Sequence, residues 1–120
     1  MPNLTQEQAL TVDRAVRQIS DFLALDELLV AQLLGFEDEA IVEYLAGNRG
    51  IDGTNETMVG CAIELIEIYT LLETMFGDDD RTRRWLNGVN VTLKVRPIEM
   101  ISTPHGLREL LEYLRSHAHS

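Results

Sequence analysis

A long apolar stretch from Glu56 to Phe76, followed by Gly77, is the feature that most constrains how this chain can fold. Its apolar side chains fall on most sides of a helical wheel, and they are Val59, Ile63, Leu65, Ile66, Ile68, Leu71, Leu72 and Met75. A surface helix carries only one apolar stripe. We therefore predict a central helix over 56–76, part of which is buried by a second copy of the chain.

Size and charge limit what the chain can do. Its 120 residues suffice for about one domain with one modest core. Ten Lys and Arg stand against 20 Asp and Glu, and this net charge of -10 opposes non-specific attraction to nucleic acid or membrane. No apolar run approaches the roughly 20 residues of a membrane span. Cys61 cannot form an internal disulfide, and no basic leader precedes an apolar run, so we expect a cytoplasmic protein without a membrane partner.

The N-terminal half predicts three helices. The first covers 5–23, the second covers 26–34 and ends at Gly35, and the third covers 37–46. In the first helix the apolar residues recur at helical spacing, and they are Leu10, Val12, Val16, Ile19, Phe22 and Leu23. In the second helix the residues that face inward are Leu28, Leu29, Leu33 and Leu34. In the third helix the apolar side consists of Ile41, Val42 and Leu45. The segment 47–55 is rich in Gly and Asn, which predicts an irregular connection. We place a boundary there, between regions 1–54 and 55–120.

The C-terminal half predicts further helices and one extended segment. The acidic run 78–80 begins a helix on which Arg81, Arg83 and Arg84 face water while Trp85 and Leu86 pack. The alternation over 89–96 predicts a short, half-buried extended segment. A short helix begins at Pro97, and a last one begins around 102–104 with Leu107, Leu110, Leu111 and Leu114 as its apolar stripe. The predicted fold class is all-α.

Two short helices around a tight connection, after a longer helix, are typical of a helix-turn-helix whose second helix enters a DNA major groove. Three packed helices without a ligand are the alternative. Residues 1–60 hold eleven acids and three bases, and the third helix carries four acids and no base. Only Arg14, Arg17 and Arg49 could contact phosphates, so charge disfavours DNA as a partner of this half.

No motif for a metal, a cofactor or catalysis is apparent. The run 78–80 lacks the spacing of a calcium-binding loop, so we interpret it as a helix cap. We interpret His105, His117 and His119 as solvated residues rather than ligands. The chain has no glycine-rich phosphate loop, nucleophile elbow or zinc-binding spacing. We therefore predict no metal, no cofactor and no catalytic residue.

The second half resembles a known family over about residues 64–116. The matching residues are Phe76-Gly77-Asp78, Arg84-Trp85-Leu86, Asn90, Leu93, Arg96-Pro97-Ile98-Glu99-Met100-Ile101, Thr103-Pro104, Gly106 and Leu110-Leu111-Glu112-Tyr113-Leu114. This pattern resembles the toxin-binding domain of the MbcA/ParS/Xre antitoxin family. In that family a helix-turn-helix region precedes the toxin-binding part, and the first half of this chain is similar in length and order.

The resemblance implies an antitoxin of a type II toxin-antitoxin pair whose partner is a RES-domain toxin that degrades NAD. In family members the C-terminal helix and tail cover the entrance to the toxin's active site. We expect apolar motif residues such as Trp85 and Leu93 to be structural. We expect the toxin contacts to lie on the last helix, because cationic side chains are attracted to a pocket that binds an anionic dinucleotide. The expected contact residues are Arg108, Glu112, Arg115, Ser116 and His117. The alternative is a DNA-binding transcription regulator that represses its own gene.

Overall fold

The computed structural model describes residues 3–118, and this part of the chain forms seven helices and no strand. They are α1 (Gln6–Phe22), α2 (Glu27–Leu34), α3 (Glu39–Leu45), α4 (Glu56–Phe76), α5 (Asp79–Asn87), α6 (Pro97–Met100) and α7 (Pro104–Ala118). The predicted all-α class is confirmed. No helix in these residues is both long enough and apolar enough to cross a membrane.

The helix ends follow the capping signals of the sequence. Thr5 accepts a hydrogen bond from the Gln8 backbone N–H at 3.1 Å, and the Gln8 side chain accepts one from the Thr5 backbone N–H at 2.9 Å. Asp26 caps α2 through its side chain. Gly35 and Gly77 end α2 and α4 with φ of 98° and 82°, a left-handed conformation that favours glycine. The predicted ends of α1, α2 and α4 are therefore confirmed.

Helix α4 lies at the centre of the molecule, as its apolar sequence predicts. It packs against α1 and α2 from the first half and against α5 and α7 from the second. Its buried residues are Met58, Val59, Cys61, Ala62, Leu65, Ile68 and Leu72. Two of its large apolar side chains, Ile63 and Met75, remain partly exposed. One continuous core therefore joins residues from both halves of the chain.

The inward faces predicted for α2 and α3 are wrong in part. Leu28 on α2, and Val42 and Leu45 on α3, are exposed instead of buried. Helix α3 uses Tyr44 to contact the core, and the Tyr44 ring stacks on Phe36 with 4.8 Å between the ring centroids. One large aromatic ring fixes the rotation of this short helix, so its aliphatic residues turn toward solvent.

The extended segment predicted over 89–96 is a turn. A single antiparallel bridge joins Asn90 to Val95, and the residues between them form the turn. The Asn90 side-chain oxygen accepts hydrogen bonds from the backbone N–H groups two and three residues further on, at 2.9 and 3.0 Å. Lys94 completes the turn with a φ of 65°. Because Asn90 satisfies these backbone groups locally, no partner strand is needed.

Helix α7 closes the C-terminal half against α4 and α6. Its predicted stripe is buried throughout, and the residues are Leu107, Leu110, Leu111 and Leu114. Gly106 lies where α7 passes close to the preceding helix. A Cβ atom at this position would collide with the Met100 carbonyl group. The close approach of two backbones therefore explains why this position carries glycine.

Candidate toxin-binding surface

The outer face of α7 carries the five residues predicted to contact a partner. Arg108, Glu112, Arg115, Ser116 and His117 are all exposed. The opposite face of the helix is buried in the core. The helix therefore presents one exposed polar surface. His119, which the sequence places in the same tail, lies outside the described residues.

Ion pairs with α4 hold the two arginines of this face. Arg115 forms a two-point ion pair with Glu67, with Nε–Oε2 and Nη2–Oε1 distances of 2.6 and 2.8 Å. Arg108 Nε lies 3.3 Å from Glu64 Oε2. The hydrogen bond from Arg115 holds the pKa of Glu67 below its usual range. Both arginines are therefore positioned by carboxylates that lie far away in the sequence.

Four rings connect the α7 surface to the end of α4 and to α5. The ring centroids of Phe76 and Trp85 lie 5.8 Å apart, and those of Trp85 and Tyr113 lie 6.4 Å apart. The His117 ring lies 4.1 Å from that of Tyr113, and its Nδ1 atom is 2.9 Å from the Tyr113 carbonyl oxygen. His117 is therefore held on a row of packed rings.

A surface cleft of about 390 Å³ lies beside this row of rings, and the sequence did not indicate it. It is lined by Arg84, Trp85, Tyr113 and the turn residues 88–92. Val89 and Val91 on the turn have 73% and 90% of their surface exposed. The alternating sequence suggested that these valines faced a core. Their exposure creates an apolar surface inside the region that resembles the toxin-binding domain.

The three arginines considered for DNA contact do not form one free cationic surface. Arg17 donates to Asp13 at 2.8 Å and to the carbonyl oxygens of Tyr44 and Arg49 at 3.1 and 3.0 Å. Its guanidinium lies 4.0 Å from the centre of the Tyr44 ring. The Arg49 side chain pairs with Glu43 at 2.8 Å. Arg14 is exposed and is in no ion pair within residues 3–118.

The acidic run 78–80 acts in helix capping, as predicted. Asp78 accepts a hydrogen bond from the Arg81 backbone N–H at 2.7 Å, and Asp79 accepts one from the Tyr69 hydroxyl at 3.1 Å. Burial, followed by this hydrogen bond, raises the pKa of Tyr69 to about 12. No cluster of His, Cys, Asp and Glu within the described residues is arranged to hold a metal ion.

The described residues form an all-helical fold with an exposed polar face on α7 and a surface cleft beside it. Residues 71–119 match the family described as the antitoxin Xre/MbcA/ParS C-terminal toxin-binding domain. This match agrees with the family that the motifs predicted. The match covers the end of α4 and the helices α5, α6 and α7. No curated protein sequence matches the chain.

Proposed function

We propose that the chain is the antitoxin of a type II pair and that it inhibits a RES-domain, NAD-degrading toxin by covering its active site. The match of residues 71–119 to a toxin-binding domain carries this proposal. Inhibition by occlusion requires no catalytic residue, so we propose an inhibitor rather than an enzyme. A cytoplasmic location is part of the same proposal. The division into a helix-turn-helix-like region 1–54 and a toxin-binding region 55–120 is part of the proposal.

The outer face of α7 is the proposed contact. An arginine has five N–H donors, and the pair with Glu67 occupies two of those of Arg115. The remaining three can bind an acidic group of the toxin without breaking that pair. Ser116 and His117 follow on the same exposed end of the helix. Because Glu67 already orders the arginine, toxin binding costs less side-chain entropy.

Titration of the chain against the cognate toxin, with NAD consumption as the readout, tests this function. A truncation after Leu114 removes Arg115, Ser116 and His117. The truncated chain should still fold, because an exposed ion pair contributes only about 0–1 kcal/mol and terminal residues add little. It should inhibit less than the full chain. Full inhibition by a folded truncation would place the contact elsewhere.

A charge exchange separates toxin contact from positioning. Arg115→Glu and Glu67→Arg each break the ion pair, and the double variant restores it with reversed polarity. If Arg115 contacts the toxin, inhibition is weakened in Arg115→Glu and in the double variant alike. Recovery of inhibition in the double variant would show that Arg115 only orients α7. Thermal melts of the three variants control for folding.

We also propose that the chain forms a homodimer through α4. Ile63 and Met75, two exposed large apolar side chains on this mostly apolar helix, support the proposal. Light scattering on the wild type and on Ile63→Asp tests it: a dimeric wild type and a folded monomeric variant are expected. A monomeric wild type at micromolar concentration would contradict it.

DNA binding by the N-terminal half is the alternative function. The order of α1, α2 and α3 supports it, but the acidic third helix opposes it. We propose that any affinity for random duplex DNA is weak even at low salt. A mobility-shift assay on the isolated chain tests this, and tight binding to random DNA would contradict it.

A further inference from the structure

We propose that the turn 88–93 and the adjoining cleft beside the Trp85 and Tyr113 rings form a second contact surface for the toxin. This proposal rests on the proposed toxin binding and adds the chemistry of the toxin surface that would bind to the turn and cleft. That surface of the toxin is apolar at its centre and acidic around it. We call the turn and cleft together the turn surface.

Exposure of apolar side chains is the first observation. A single exposed valine is ordinary on a protein surface. Here Val91 and Val89 are 90% and 73% exposed on the same turn, and both line the cleft beside the Trp85 and Tyr113 rings. The cleft therefore brings the two valines and the two rings together in one apolar surface. Aromatic rings in a cleft are typical anchoring points of protein interfaces.

The turn also has a defined shape before a partner binds. The Asn90 side chain holds two backbone N–H groups of the turn, and Asn90 and Val95 are bridged by a backbone hydrogen bond of 3.0 Å. A partner that covers Val91 therefore has little backbone to order. Preorganisation of this kind increases affinity because less conformational entropy is lost on binding.

The charge of the segment that carries the turn indicates the complementary chemistry. Segment 81–96 contains five Arg and Lys and no Asp or Glu, whereas the rest of the chain contains five bases and 20 acids. Ion pairs with Asp78, Asp80 and Glu99 offset the four arginines. The Lys94 side chain forms no ion pair within residues 3–118. Lys94 is therefore the charge on the turn that favours an acidic group of the partner, and such a group would accelerate association.

Continuity with the α7 surface indicates the toxin as the partner. Tyr113 lines the cleft, and its ring also supports His117 on the outer face of α7. One partner can therefore contact both surfaces at once. The turn lies inside the segment 71–119, which matches the toxin-binding domain. A second copy of this acidic chain or a nucleic acid could also be attracted by Lys94. Variants of the turn surface distinguish these two occupants from the toxin.

The test uses the full chain and the cognate toxin. Val91→Asp and the double variant Val89→Asp/Val91→Asp place a carboxylate on the turn surface. Val42→Asp makes the same change on α3, at a valine that is 66% exposed. We expect the dissociation constant to rise at least about tenfold for Val91→Asp and further for the double variant. Val42→Asp should stay within about twofold of the wild type, and the three melting temperatures should agree.

Several outcomes would overturn the proposal. If the wild type inhibits the toxin and Val91→Asp binds equally well, the turn surface is not a contact, but the proposed function stands. If the wild type neither binds nor inhibits the toxin, the proposed function fails as well. If Val91→Asp abolishes self-association or nucleic-acid binding but leaves toxin affinity unchanged, the occupant is a second copy or a nucleic acid. Lys94→Gln should slow association at low salt, and an unchanged rate would contradict the acidic partner.

Discussion

Replacement of Asp13 by alanine is expected to destabilise the fold by about 3 kcal/mol. Asp13 lies on the buried side of α1 and has 9% of its surface exposed. Its carboxylate accepts hydrogen bonds from Arg17 Nε at 2.8 Å and from the Ile51 backbone N–H at 3.3 Å. Arg17 in turn donates to the carbonyl oxygens of Tyr44 and Arg49. Asp13 and Arg17 together therefore connect α1 to the end of α3 and to the connection that follows.

The magnitude follows from three contributions. Loss of a hydrogen bond between charged groups costs about 1.5–3 kcal/mol. The Ile51 N–H belongs to a buried residue, and leaving it without an acceptor costs about another 1 kcal/mol. The better helix propensity of alanine returns roughly half a kcal/mol. Asp13→Asn should cost less than Asp13→Ala, because the amide oxygen can still accept from Ile51.

Urea unfolding followed by circular dichroism at pH 7 measures these differences. Glu43→Ala is the matched control, because it breaks the Glu43–Arg49 pair, in which both side chains are 45–49% exposed. This control should lose less than about 1 kcal/mol. The combination of Asp13→Ala with Arg17→Met should cost less than the sum of the single variants. If Asp13→Ala were no more costly than Glu43→Ala, the hydrogen bonds of Asp13 would contribute no more stability than an exposed ion pair.

Two further predictions use matched pairs of variants. Burial and a neighbouring aspartate raise the pKa of Glu73, whereas Arg115 lowers that of Glu67. At pH 7 Glu73→Gln should therefore stabilise the fold and Glu67→Gln should destabilise it, each by less than about 1 kcal/mol. Denaturation at several pH values checks both effects. The effect of Glu73→Gln should vanish below the ordinary pKa of 4.5, and that of Glu67→Gln should decline as the pH falls from 4.5 through the lowered pKa. A destabilising Glu73→Gln at pH 7 would contradict the first assignment, and a stabilising Glu67→Gln would contradict the second. Gly60→Ala should stabilise α4 by up to about 1 kcal/mol because its Cβ meets no atom within 4 Å, while Gly106→Ala should destabilise α7 by about 2 kcal/mol or more, with melting temperatures as the readout.

Local signals in the sequence were sufficient to predict most helix ends. A cap depends on residues three or four positions apart, as for Thr5 and Gln8, so the sequence contains the whole interaction. The same holds for Gly35 and Gly77, whose left-handed conformation is a property of the residue itself. The exposed row on α7 was also predictable, because four leucines define the opposite face of that helix.

Long-range contacts could not be predicted in the same way. Arg115 and Glu67 are 48 residues apart, and only the packing of α7 on α4 brings them together. The prediction of an extended segment over 89–96 failed for a different reason. Alternating apolar residues predict a strand only if a sheet is present, and the Asn90 side chain removes the need for one. Apolar periodicity does not reveal which apolar face lacks a partner, as the exposure of Val42 and Val91 shows.

The distribution of ion pairs leads to a last prediction, which concerns DNA. With twice as many acids as bases, most arginines of this chain find a carboxylate partner. Arg17 and Arg49 are paired in the N-terminal half, so among the ion pairs of residues 3–118 Arg14 is left to neutralise a phosphate. The slope of log affinity against log salt is about -0.9 for each phosphate that is neutralised. Any DNA binding through this half should therefore show a slope near -1, measured by fluorescence anisotropy of a labelled duplex. A slope near -3 would show that Arg17 and Arg49 leave their carboxylates to bind phosphates, and Arg14→Gln should abolish the salt dependence only in the first case.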